Sequence, residues 1–181
     1  MKNKKIIIKF LVRFFVAYFI LLAAYSIYLK QTQQKGDIFS CDPLTEEVAY
    51  QTHKLGEFFG FNTYTGQHES ELSMKFFVGE VYAARIVEGC NSVSIIILFL
   101  TFIIAFTGSL KATIIFGIVG SIIIYVVNLF RILILSLLMY KYPEYQYLLH
   151  SLLFPGIIYG TTFILWVIWV NKFSHLKLLK K

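Results

Sequence analysis

Charge is the scarcest ingredient of this chain. Only 15% of its 181 residues are Asp, Glu, Lys or Arg, against 57% hydrophobic, and the mean hydropathy is +0.69. Soluble domains carry about a quarter charged residues, so the composition excludes an ordinary water-soluble enzyme and reads as an integral membrane protein. Cysteine is almost absent. Cys41 and Cys90 offer no metal spacing and no framework of bridges. A bridge between them would need an oxidising side of the membrane and would consume both thiols. There is no Gly-rich phosphate loop and no Ser/His/Asp motif, so no cofactor is expected. One Cys and one His without a carboxylate at the same depth are too few ligands for a metal. Acids are missing from both ends: nine of the ten lie between Asp37 and Glu88.

The basic residues fall where the acids do not. Lys2, Lys4, Lys5, Lys9 and Arg13 open the chain, and Lys172, Lys177, Lys180 and Lys181 close it. The net charge of +7 is therefore a topology signal and not a nucleic-acid surface. Four apolar runs read as spans: Phe10–Leu29, Ser92–Thr107, Ala112–Tyr140 and Ser151–Val170. A helix needs about 20 residues to cross the hydrocarbon. The second run is short and the third long enough to tilt or protrude. No small-residue cleavage site follows the first, so it reads as a span and not a signal peptide. The positive-inside rule puts both termini and Gly108–Lys111 in the cytoplasm. It leaves Lys30–Asn91 and Lys141–His150 outside.

The fold expected is an all-α polytopic membrane protein of about four transmembrane helices, with a small extracytoplasmic helix-plus-β-hairpin insert. One membrane domain covers residues 1–181, with the insert at residues 30–91. Within it, Pro43-Leu44-Thr45-Glu46-Glu47 reads as a helix start with acids in the first turn. Val48, Leu55 and Phe59 share a face of that helix, and Gly60 ends it. Phe61–Ser70 is turn-rich and polar. Met74–Val78 and Val81–Val87 read as strands joined by Gly79-Glu80, a two-residue turn with Gly first.

Three residues carry chemistry. Arg131 sits inside an apolar run, where a charge costs roughly 2.5–3.5 kcal/mol on lenient insertion scales. It lies about 13 Å below the outer end of its helix, with Asn128 one turn earlier on the same face and Ser136 further out. Cys90 stands just before or within the first turn of a helix whose N-cap is Asn91 or Ser92, where the helix dipole favours thiolate. His150 opens the last span. Singly, each has a plain alternative: a small residue at an interface, a structural cation bonded to carbonyls or lipid phosphate, a wet imidazole. His53, His68 and His175 carry less. Together the three supply a nucleophile, an anion stabiliser and a proton shuttle at one membrane boundary.

Three segments bear a family resemblance: Glu88-Gly89-Cys90-Asn91-Ser92 entering a span, Asn128-Leu129-Phe130-Arg131-Ile132 within the next, and His150 at the start of the last. In these the chain resembles the exosortase/archaeosortase family of membrane cysteine transpeptidases, over about Val81 to Trp169. Asn-x-x-Arg-Ile in a hydrophobic helix is the most specific piece. The short form is similar to the compact exosortase F subgroup. The chain departs from the family in Cys90-Asn91-Ser92, where members commonly show Cys-Ser-Gly, and in lacking extra N-terminal spans.

The resemblance implies catalysis by Cys90, Arg131 and His150, with Asn128 and Asn91 orienting these groups or the substrate. It implies cleavage of secreted proteins whose C-terminal tails combine a short motif, a transmembrane helix and a basic cluster. The active site would face the periplasm from a bacterial inner membrane. Two other classes stay open from the residues: a non-catalytic assembly factor whose Arg131 binds a partner helix, and a channel or transporter fragment. The lack of an inverted repeat weighs against the last.

Overall fold

The computed structural model describes residues 2–36, 39–106 and 108–174. Helix α1 runs Lys2–Thr32, α2 Pro43–Phe58, then strands β1 Thr63–Gln67, β2 Ser73–Val78 and β3 Val81–Val87. A 3-10 turn, Glu88–Cys90, leads into α3 (Val93–Ala105) and α4 (Leu110–Lys141). After a 3-10 turn at Pro143–Tyr145 come a single α turn, α5 (Gln146–Leu148), a π turn at Leu149–Leu153, and α6 (Phe154–Lys172). The basic tail beyond Ser174 lies outside the described residues.

Three helices, α1, α4 and α6, are long and apolar enough to cross a membrane, which makes this a membrane protein. The second apolar run forms a helix shorter than expected. At 13 residues, α3 rises only about 20 Å. It is the central helix, packed against α1, α4 and α6, with Phe99 and Ile103 fully buried. By contrast α1 leaves Ile8, Val12, Phe15, Phe19 and Ile20 exposed, an apolar surface that water would not tolerate at this extent.

The inward face of α4 explains the bundle. Gly117, Gly120, Ile124, Asn128, Arg131 and Leu135 follow one another at steps of three and four, and all six are buried against neighbours. At its start the glycines let α3 approach closely. A Cβ on Gly120 would stand 2.3 Å from Cζ of the fully buried Phe99, whereas one on Gly117 would meet only the flexible ends of Leu100 and Ile103 at 3.2 and 3.3 Å. Gly120→Ala should therefore lower stability by about 1–3 kcal/mol through overpacking. Gly117→Ala should be near neutral, because its better helix propensity offsets a small adjustment. Thermal unfolding in detergent would read the difference. Around the same end Trp169 Nε1 donates to the Phe106 carbonyl (3.1 Å), Phe102 stacks on Trp166 and Phe10 packs on Phe106.

The insert caps the other end. Asp42 caps α2, accepting from the Thr45 amide at 3.0 Å. Gly60, with φ 80, ends it. Val48 is buried and Leu55 half-buried on the expected face, but Phe59 is exposed beyond the helix end. The hairpin forms as expected, with Val78 opposite Val81 and Gly79 at φ 60. The polar stretch after α2 adds β1, antiparallel to β2, so the insert is a helix plus a three-stranded sheet in the order β1-β2-β3. Cross-strand contacts with β2, and not apolar content, make Thr63–Gln67 a strand. A bulge at Ala83 interrupts the β2–β3 register. One face of the sheet buries Met74, Phe76 and Ile86 with Val48 of α2 and Ile132 and Leu133 of α4.

Candidate active site

Cys90 is set by a polar knot at the junction of three helices. Asn91, fully buried, donates from Nδ2 to the Tyr25 hydroxyl (2.9 Å) and to Thr45 Oγ1 (3.1 Å), and accepts from the Val93 amide at 3.0 Å. Thr45 in turn donates to Asp42 Oδ2 at 2.7 Å. α1, the cap of α2 and the start of α3 thus meet on one amide. Ser92 occupies the N-cap position with φ 65, the one non-glycine positive φ among the described residues. Such a residue persists only where its surroundings over-determine it. It turns the chain so that Cys90 stands just before α3, in the preceding 3-10 turn. Ser92 makes no side-chain cap bond; Asn91 satisfies the first helical amide instead.

From the other side α4 holds the same turn. Asn128 Nδ2 donates to the Cys90 carbonyl at 2.7 Å. Arg131, one turn along, is 4% exposed. Among the described residues no acid pairs with it, and its buried Nε has no hydrogen-bond partner. The ring of Phe154 covers the guanidinium, centroid 3.7 Å from Cζ. Among the described residues the Cys90 thiol and the Tyr159 phenol lie near enough to it to interact electrostatically. A buried, unpaired guanidinium is costly. Among the described residues the cation–π contact with Phe154 is what offsets that cost.

A cavity of about 570 Å³ opens beside the thiol, within the size range of ligand clefts. Cys90, Ile132, Leu135, Ser136 and Phe154 line one part, and His68, Glu71 and Arg85 another, with β3 between. Arg85 and Glu71 are ion-paired at 2.6 Å.

Of the expected residues, Cys90, Asn128 and Arg131 come together. Asn91 joins them as a positioning residue, its amide engaged by protein partners. His150 is the second residue of the π turn, two residues beyond the end of α5; its side chain is outside what is described. Tyr25, Thr45, Asp42 and Phe154 were not singled out from sequence. For Phe154 a signal existed: Pro155 next to it cannot donate to the Ser151 carbonyl and crowds it, which fits the wide turn that delivers Phe154 onto Arg131.

The two cysteines are both free and differ sharply. Cys41 is 3% exposed. Burial first, then the charges of Asp42 and Glu46, push its thiol up to about 11. Near pH 8 it is protonated and inaccessible, whereas Cys90 faces the cavity. Iodoacetamide at about pH 8 should give one adduct on the folded protein, at Cys90, by intact-mass and peptide analysis. Set against protein-family models, curated protein sequences and solved structures, the chain matches none.

Proposed function

We propose that this chain is a membrane-embedded cysteine protease or transpeptidase of exosortase type. It cleaves the C-terminal sorting tails of secreted proteins. The observation that supports this best is a buried guanidinium with no acidic partner among the described residues, one helical turn from an amide that grips the backbone of a cavity-lining cysteine. A fixed positive charge in a dry site is worth most where negative charge develops.

The Cys90 thiol passes its proton to His150, and the thiolate attacks the scissile carbonyl carbon. A C–S bond forms and the carbonyl π electrons move to oxygen. Arg131 stabilises the thiolate and then the oxyanion. Collapse breaks the C–N bond as His150 protonates the leaving amine, and the tail departs. Water or an acceptor amine then attacks the thioester, which returns the thiol. Asn128 holds the Cys90 main chain in register with Arg131. Both termini would be cytoplasmic and the insert periplasmic, by the distribution of charge along the chain. The substrates' own spanning helices would reach the site through the bilayer.

The competing assembly-factor reading needs Arg131 displayed to a partner helix, and a side chain 4% exposed beneath Phe154 is poorly placed for that. The test is mass spectrometry of C-terminal peptides from secreted and membrane proteins, comparing wild type with Cys90→Ala at matched expression. Helix-plus-basic tails retained only in the variant support the enzyme. An unchanged set of C-termini overturns it.

A further inference from the structure

The cavity beside Cys90 has an unusual wall. Six consecutive residues of β3, Tyr82–Val87, all line it. Side chains along a strand alternate between faces, so a cavity against one face would touch every second residue. Unbroken contact means that the cavity runs along the strand's edge. β3 is an edge strand of the sheet; among the described residues no hydrogen bond outside the β2 pairing reaches the main chain of Val81–Val87, and the one side-chain bond there joins Arg85 to Glu71.

An occupant of that space has to satisfy alternate N–H and C=O groups of the edge. A lipid acyl chain cannot, and would leave them buried without partners. A polypeptide in the extended conformation can. We infer that the substrate segment preceding the scissile bond binds as a fourth strand on the free edge of β3. The inference rests on the proteolytic reading above and says how that substrate is held.

Direction follows from the chain. β3 runs towards Cys90, which its C-terminal end reaches through Glu88 and Gly89. A substrate whose tail is a membrane helix also runs, N to C, towards the membrane, so the added strand is parallel to β3. Its apolar side chains meet Ile132, Leu135 and Met139 of α4. The slot also borders the Arg85–Glu71 pair. Main-chain bonds give affinity, and the α4 side of the slot selects side chains at alternate positions. After tail release the acyl half of the substrate stays paired along β3, which keeps the thioester docked for its acceptor.

The probe is a pool of single-span peptides with a randomised segment of roughly six residues, a polyleucine helix of about 20 residues and a lysine tail. It is offered to the Cys90→Ala protein in lipid nanodiscs. Binders are resynthesised with N-methyl groups on alternate amides. Methylation of one parity should weaken binding roughly tenfold or more, and of the other less than about threefold. Equal response of both parities, or no binder from the pool, overturns strand addition. Because the alanine variant performs no chemistry, the two readings fail separately. Cys90-dependent cleavage with parity-blind binding removes the strand and keeps the enzyme. Parity-dependent binding without such cleavage removes the enzyme and keeps the strand.

Discussion

Cys90→Ala should abolish tail removal while leaving the fold intact. Loss of a covalent nucleophile lowers turnover by roughly 10⁴-fold or more, and Cys90 is the one thiol lining the cavity among the described residues. The thiol is half-buried, and removing one sulfur from a cavity wall costs about 1 kcal/mol or less. The groups that place the turn act on main chain: Asn128 on the Cys90 carbonyl, Asn91 on the Val93 amide. They survive the substitution. Matched thermal unfolding with accumulated uncut substrate is the expected result. Cys90→Ser should resemble alanine. A serine that supported full cleavage would contradict the thiolate chemistry, and a silent serine with unchanged C-termini would favour the assembly-factor reading.

Arg131→Met should move activity and stability in opposite directions. Methionine keeps the unbranched stem and the contact with Phe154 but removes a buried charge that has no acidic partner among the described residues. Replacing an unpaired buried cation with a well-packed apolar side chain is neutral to stabilising, by up to about 2 kcal/mol. Cleavage should fall by about 10²–10³-fold, the usual consequence of losing one oxyanion donor. Arg131→Lys should lose most activity too, because an ammonium reproduces neither the planar fork nor the stacking on Phe154. Turnover assays and unfolding on the same preparations read both quantities. A variant that is both less stable and inactive would mean that Arg131 is structural.

The sequence carried the hairpin because Gly79 supplies a conformation few other residues adopt, and the hydrophobic alternation around it set the faces. It carried the inward placement of Asn128 and Arg131 because helical spacing leaves no alternative once Ile124 and Leu135 face the core. β1 was hidden, since Thr63–Gln67 is polar and becomes a strand only through β2. The bulge at Ala83 was hidden for the same reason. Asn91 was recognisable as a residue near a helix start, but its partners Tyr25 and Thr45 lie 66 and 46 positions away, and no local pattern announces such a meeting. The reach of the second span was overread: an apolar run marks burial in protein as readily as burial in lipid, and α3 is surrounded by helices.

The core of the insert has a consequence for the order in which this protein can be made. Val48, Met74, Phe76 and Ile86 are closed over by Ile132 and Leu133, which leave the ribosome well after the sheet does. Until α4 has been synthesised and inserted, the sheet lacks the apolar partner that covers one face, and β3 stands with an open edge. Chains halted before α4 should therefore expose the sheet's uncovered apolar face, an adhesive surface. The late arrival of α4 both seals that surface and carries Asn128 and Arg131 to Cys90. Completion of the fold and assembly of the candidate site are the same event, so a partly made chain has no assembled site.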